Sequence, residues 1–518
     1  MLNRLDRTVL RRITRILLAL AALVVAGFVL LVLIGLWSRY EQKTTGLDFR
    51  GIYEWFFATQ DGLSKNPQAR TRVEAEHSQQ AQLLQQVPRL VGTGAVGNAN
   101  QGMSVAVSAD GYTVILGGPG PNNADRDRSP LAGPVGAAWV FTRRGSAWMQ
   151  QGKKLVGTTN EYGGGLWSQG ASVALSGDGK TAIVGGPSDD RTTGAAWIFT
   201  FRGEAWTQQG KKLVGSGSYK TGEPPLSPGQ GLSVALSADG NTAIVGGWRT
   251  EGAWIFTRNG DEWTQQGNKL VGSGAVGAAR QGMAVALSAD GNTAIVGGAA
   301  DNNNTGAAWV FTRIGGVWTQ QGKKLVGSGA EGRARQGTSV AFSADGNTAI
   351  LGAPNDSSTD KSRPFGLGPA GAAWVFTRTG GVWMQQGDKL VSRGAAGSAR
   401  QGTSVTLSAD GETAVLGGLA DDGSIGAVSV FTRNAGHWMQ DKELVGIGSL
   451  VKSASSVALS ADGSLVAIGA PNDNGGMGAA WVFTRKGSGA DEHAGHIRCR
   501  EASDDVLSCN TSVSHAAR

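Results

Sequence analysis

Polar and apolar positions recur in step along most of this chain. One unit shows the pattern. Val285, Leu287, Ile295 and Val296 flank Asp290-Gly291; a polar loop follows, then Ala307 to Phe311, a Gly315-Gly316 turn, and a run from Trp318 to Val326. Each unit therefore supplies four short apolar runs punctuated by turn signals, which predicts four strands. Asp-Gly is the strongest short hairpin signal. It recurs at Asp110, Asp178, Asp239, Asp290, Asp345, Asp410 and Asp462, always between the first two runs. In Trp139-Val140-Phe141 neighbouring side chains point to opposite faces, yet all are apolar. A sheet covered on both sides needs that pattern.

A Gln-Gly pair opens the units at Gln101, Gln169, Gln230, Gln281, Gln336 and Gln401, spaced 51 to 68 residues apart. A seventh unit, with Ser453-Ala454 at that point, ends at Arg485 without its fourth strand. The missing piece stands ahead of the first unit, as Arg89-Leu90-Val91-Gly92. Joined, the two complete one sheet and close a ring, which removes the open edges. The expected fold is all-β: a seven-bladed β-propeller of four-stranded antiparallel blades with split-blade closure, over residues 89–485.

The remaining segments differ in composition. Ile16 to Trp37 carries no charge over 22 residues, enough to span a bilayer as a helix. Arginines crowd residues 1–15, which favours a cytoplasmic N-terminus. A cleaved secretory core would be shorter and would end at a small-residue site; this run ends Leu36-Trp37-Ser38-Arg39. A single-pass signal-anchor in the plasma or inner membrane is expected, with the propeller periplasmic or extracellular. Residues 38–88 read as a juxtamembrane and helical stalk, and 486–518 as a disordered tail.

Glycine, at 82 residues, fits many tight turns, and 16 tryptophans exclude a disordered chain. The net charge of +7 owes much to the N-terminal arginines, and no basic helix or RNA-binding aromatic signature points to nucleic acid. Both cysteines, Cys499 and Cys509, lie in the tail, so neither disulfides nor thiolate metal sites hold the repeats.

With these elements placed, residues 89–485 resemble the FG-GAP repeat family, the propeller type of integrin α-subunits and of bacterial membrane-anchored proteins. Gly-Ala-Pro is literal at Gly352–Pro354 and Gly469–Pro471, and Gly-Gly-Pro stands at Gly117–Pro119 and Gly185–Pro187. Gln-Gly replaces Phe-Gly. The resemblance implies a propeller and, in integrin-type blades, a calcium loop between the first two strands. Here that connection is a short Ser-Ala-Asp-Gly turn with too few oxygen ligands, so no calcium or other cofactor is expected.

Comparing the units separates constant from variable surface. The first-to-second and third-to-fourth hairpins keep one length. The second-to-third loops have 17 residues at 119–135 and 354–370, 4 at 248–251, and 7 elsewhere; the fourth-to-first connections run from 6 to 14. Both variable classes emerge on one side, and loops on a rigid scaffold carry binding. Candidate binding residues there are Trp167, Asp189, Asp190, Trp248, Arg280, Asp301, Arg335, Asp356, Arg400, Asp421, Asp422 and Asp473. Solvated turn chemistry is the plainer reading of the acidic ones. The regularly spaced tryptophans read as packing between blades.

Catalytic chemistry is sparse. Only His437 lies among the blades, with no cysteine beside it. Asp301 to Trp309 loosely matches the tryptophan-docking motif of quinoprotein dehydrogenases, with different spacing. His493, His496 and Cys499 have zinc-like spacing in a tail without packing residues. The expectation is a non-enzymatic, membrane-anchored binding or adhesion module that contacts a protein or glycan. The alternative is a structural component of a cell-envelope assembly.

Overall fold

The computed structural model describes residues 88–485, apart from 96, 121–135, 159–167, 218–227, 248, 250, 358–369, 393–398, 419–426 and 446–453, together with the backbone at 498–500 and 508–510. The chain divides into units Met1–Gln82 and Leu83–Arg518, and all described residues belong to the second. The expected membrane helix and stalk lie outside the described residues. Among those described, no helix is long and apolar enough to cross a membrane.

Six four-stranded antiparallel sheets are built from consecutive strands. In the first these are Ser104–Val107, Thr113–Gly118, Ala137–Arg144 and Ala147–Gln150. The seventh sheet joins Ser456–Leu459, Leu465–Ala470 and Ala479–Thr484 to Arg89–Leu90, with Arg89 opposite Trp481 and Leu90 opposite Ala480. The split repeat thus closes as its sequence predicts.

Each first hairpin is fixed by its own side chains. Ser288 Oγ donates to Asp290 Oδ1, which also accepts Asn292 N at 2.9 Å, while Thr293 N donates to Ser288 Oγ at 2.9 Å. The same Ser–Asp bond forms in the other six blades. Gly291 sits at φ 67°, a region that favours glycine.

These turns also close the ring. Ala109 N donates to Gly177 O, Gly177 N to Ala238 O, Ala238 N to Ala289 O and Ala289 N to Ala344 O. Ala344 N then donates to Ala409 O, Ala409 N to Ala461 O, and Ala461 N back to Ala109 O, all at 2.8–3.0 Å. This is a complete circle of seven amide bonds. Hydrogen-bonded neighbours about 4.8 Å apart make such a circle about 11 Å across.

The core lies between blades, not within them. Ile115 and Val140 of the first blade pack with Val184, Trp197 and Phe199 of the second. Third-strand tryptophans Trp139, Trp197, Trp254, Trp309 and Trp374 are at most 1% exposed. Burying each contributes about 4–6 kcal/mol before entropy is subtracted. Each indole lies on a glycine that ends the preceding blade's fourth strand: Gly92, Gly157, Gly215, Gly272 or Gly327. A Cβ there would stand 2.1–2.2 Å from the ring. Each indole N–H donates to the next carbonyl along, at 2.7–2.8 Å. The sixth blade departs at both positions together. Ser429 replaces the tryptophan, Ser392 replaces the glycine, and their hydroxyls are hydrogen-bonded.

Gly327→Ser should therefore destabilise the propeller by about 2 kcal/mol or more through overpacking. Trp374→Ser should cost about 3–5 kcal/mol as a cavity. In denaturant unfolding the double variant should cost less than the sum by about 1–3 kcal/mol. Additive costs would show that glycine and indole are not sterically coupled.

Candidate functional site

The two ends of the blades differ in what their polar groups do. At the uniform hairpin end, Arg313 Nε donates to Asn292 Oδ1 at 2.9 Å and Nη1 to Gln266 Oε1 of the preceding blade at 3.0 Å. Trp318 Nε1 donates to the same Gln266 oxygen at 3.0 Å, and the guanidinium lies 5.3 Å from its ring centroid. Gln209 with Trp263, Gln321 with Trp383, and Gln386 with Trp438 repeat the bond, and Gln151 accepts from Trp206. This end is a latch between blades, repeated with little change.

The variable end starts from Gln-Gly. Gln281 is 2% exposed; its Oε1 accepts Gly272 N at 2.6 Å and its Nε2 donates to Gly272 O at 2.9 Å. Gln101, Gln169, Gln230 and Gln336 do the same for Gly92, Gly157, Gly215 and Gly327. The carboxamide thus satisfies a buried peptide group that would otherwise lack partners. Polar as it is, this motif belongs to the scaffold.

Four of the candidate carboxylates are scaffold too. Asp189, Asp301, Asp356 and Asp473 are 0–7% exposed. Each pairs with the cation just before the leucine of its own blade's fourth strand. Lys212 meets Asp189 at 2.5 Å, Lys324 meets Asp301 at 2.6 Å, Lys389 meets Asp356 at 2.7 Å, and Arg89 meets Asp473 at 2.7 Å. Asp301 Oδ1 also accepts Val276 N at 2.7 Å, and Asp356 Oδ2 accepts Glu331 N at 2.9 Å. These carboxylates hold the second-to-third loop down on the blade, and Asp301 and Asp356 also tie it to the connection that leads into their own blade, so their oxygens are engaged within the propeller.

The residue before each Gln-Gly is left-handed: Asn100, Ser168, Gly229, Arg280, Arg335 and Arg400, with φ of 51°, 105°, 61°, 56°, 60° and 44°. Asn and Gly suit that conformation; arginine there stores strain of order 1 kcal/mol. Arg280 is exposed, and Arg335 and Arg400 are half-buried. Asp190 is exposed beside the buried Asp189. Of the described candidates at this end, Asp190 and Arg280 are thus exposed and Arg335 and Arg400 partly so, with the three arginines on successive blades. Asn302, Asn303 and Val276 are exposed at the same end, with Asn302 N donating to Val276 O, and are not among the candidates. Trp167, Trp248, Asp421 and Asp422 lie outside the described residues. In the tail, Arg498–Arg500 pairs with Ser508–Asn510, with Cys499 opposite Cys509 in backbone register.

The geometry defines a seven-bladed β-propeller with one uniform and one variable end. No family model matches the chain, and no curated protein sequence matches it. Solved structures similar to it include a hydrazine synthase of Kuenenia stuttgartiensis, at 12% identity over 76% of this chain and 98% of that one, TM-score 0.47. The β-propeller domain of Cps50 (Swd1) from Myceliophteria thermophila is 8% identical over 77% of this chain and 100% of that one, TM-score 0.47. A proposed 6-phosphogluconolactonase of Bacteroides uniformis is 14% identical over 69% of this chain and 88% of that one, TM-score 0.45. The blade count rests on the strand pairing above and not on these likenesses.

Two outcomes test the scaffold role of the acids. Asp356→Ala should cost about 2 kcal/mol or more in denaturant unfolding, because it strands Glu331 N and leaves Lys389 only the longer pairing with Glu331 at 3.5 Å. Asp356→Asn, which keeps an acceptor, should cost less. Equal costs would mean that the carboxamide does not preserve the Glu331 N–H bond.

The second outcome is acid sensitivity. Burial raises the pKa of Asp239, Asp290, Asp345 and Asp462, but hydrogen bonds from the turn serine and the following backbone N–H outweigh it and leave each below the ordinary 3.8. Asp261, held by Arg202 and Gln209, is lowered to about 2. A depressed carboxylate stabilises the fold above its unfolded pKa, and that stability is lost as pH falls through the folded value. The urea midpoint should therefore hold from neutral pH down to about pH 4.5 and fall below it. Ser288→Ala should flatten that fall.

Proposed function

We propose that this propeller is a non-enzymatic binding module, carried outside the cytoplasm on its N-terminal segment, and that it meets a protein or glycan through the variable end. The supporting observation is the division of labour between the ends. Hairpins of constant length and repeated Gln–Trp bonds occupy one end, while every change of loop length falls at the other. Folding explains the constant end. It does not explain why three successive blades hold arginine in a strained conformation where Asn100 or Gly229 serves elsewhere. The single histidine and absent cysteine between residues 89 and 485 favour binding over catalysis. The FG-GAP resemblance supports the same reading.

The test replaces loops 119–135 and 354–370 with the seven-residue loop at 299–305 of the fourth blade. The melting temperature should change by only a few degrees, since the grafted loop carries Asp301 at the position of Asp356 and the uniform-end Gln–Trp latches are untouched. Partners crosslinked in the native membrane should be lost. Their retention would refute the variable-end reading, and loss only on deleting residues 41–88 would favour an envelope assembly built on the tether.

A further inference from the structure

The latch at the uniform end has one break. In the third to sixth blades an arginine near the end of the third strand gives Nε to the residue two after the turn aspartate, and Nη1 to a glutamine of the preceding blade. Arg258 bonds Asn241 and Gln209, and Arg313 bonds Asn292 and Gln266. Arg378 bonds Asn347 and Gln321, and Arg433 bonds Glu412 and Gln386. The second blade has neither half of the Nε bond. Phe201 stands at the arginine's position and Lys180 at the acceptor's. A lysine head has no acceptor to offer, so the two changes go together. The Phe201 ring instead lies 5.6 Å from that of Trp206, in its own blade.

A cavity of about 420 Å³ opens between the second and third blades at this point. That volume lies within the range of small-molecule pockets. Three cations line it, Lys180, Arg202 and Arg258, together with Thr200, Asn241 and the Phe201 ring. Lys180 and Arg202 are exposed and Arg258 is half-buried. Among the described residues no carboxylate lines it. The acids nearby are held elsewhere. Asp261 accepts from Arg202 Nη1 at 3.1 Å and from Gln209 Nε2 at 2.7 Å. Asp178 accepts from Ser176 Oγ at 2.6 Å and Lys180 N at 3.0 Å, and Asp239 accepts from Ser237 Oγ and Asn241 N.

A lost arginine explains a void, but it does not explain a lysine. Folding gains nothing from a third cation facing two arginines, because like charges repel unless an anion stands among them. Guanidinium forks match the oxygens of a tetrahedral oxyanion, and an ammonium adds a point charge. We propose that this cavity binds a small phosphate or sulfate monoester, with its oxyanion among Lys180, Arg202 and Arg258 and its organic part against Phe201. The site lies at the end opposite the variable loops and rests on nothing in the reading of that end.

The experiment titrates full-length protein by calorimetry with N-acetylglucosamine 6-phosphate, N-acetylglucosamine 6-sulfate and the neutral sugar. At least one ester should bind saturably with a Kd of about 1 mM or tighter, and the neutral sugar about tenfold more weakly or not at all. The two esters separate by pH. A phosphate monoester gains its second proton below about pH 6, so a site for phosphate loses affinity on acidification through that value. A site for sulfate keeps its affinity there and prefers the sulfate ester. Lys180→Asn installs the residue that Asn241, Asn292 and Asn347 supply at this turn. It should leave the melting temperature unchanged and weaken binding about tenfold, the size of one lost charged contact. Lys180→Arg should retain binding. Failure of both esters to saturate at about 10 mM, equal affinity for the neutral sugar, or full affinity in Lys180→Asn would overturn the proposal.

Discussion

A circle of seven backbone amide bonds, from Ala109 through Gly177, Ala238, Ala289, Ala344 and Ala409 to Ala461 and back, sets the geometry of everything else. No blade is stable as a separate sheet, because its second and third strands are apolar on both faces. Each must be sandwiched, and sandwiching every member of a series leaves no ends only in a ring. The circle fixes how closely the inner strands approach. That distance in turn decides that an indole must fit onto a backbone with no Cβ, and that a glutamine must satisfy the peptide group that the indole covers. Gly272, Trp309 and Gln281 are one device: remove the glycine and the ring clashes; remove the glutamine and a buried N–H and C=O are orphaned.

Coupled substitution follows from such a device. The interface of the fifth and sixth blades gives up indole and glycine together and replaces their packing with a hydroxyl pair that Gln401 still reaches, through Ser392 N at 3.0 Å. The ring tolerates this because the circle of amides is indifferent to side chains; Gly177 stands in it among alanines without breaking it. Backbone closure carries the architecture, and side chains adjust each seam locally.

This explains what could be read from the sequence. Strand number, hairpin turns and the split blade were legible because they depend on neighbours a few residues apart: Ser288, Asp290 and Gly291 define their turn without help from elsewhere. The candidate site was only partly legible. Asp301 and Lys324 stand 23 residues apart and Asp356 and Lys389 stand 33 apart, and nothing local marks either pair as a latch. Gln281 is polar and follows a loop, so it reads as surface, and only the approach of the neighbouring blade makes it core. The acidic loop residues looked like ligands for the same reason: a carboxylate in a glycine-rich loop has no visible partner until the fold brings a lysine to it.

The latches also account for where the chain can vary. Lengthening a loop from 4 to 17 residues adds only about 1.3 kcal/mol of closure entropy. That cost is small against one buried indole, provided the loop's two ends are already held. At the variable end they are: Gln-Gly fixes the start of the next blade, and where an Asp–Lys pair is present it fixes the start of the loop. The uniform end has no such slack, because its turn residues are themselves the bonds that close the ring. Insertion there would break Ala–Ala contacts on which all seven blades depend. Variation is thus confined to one end by the mechanics of closure, and that end is where the fold is free to acquire a surface it does not itself need.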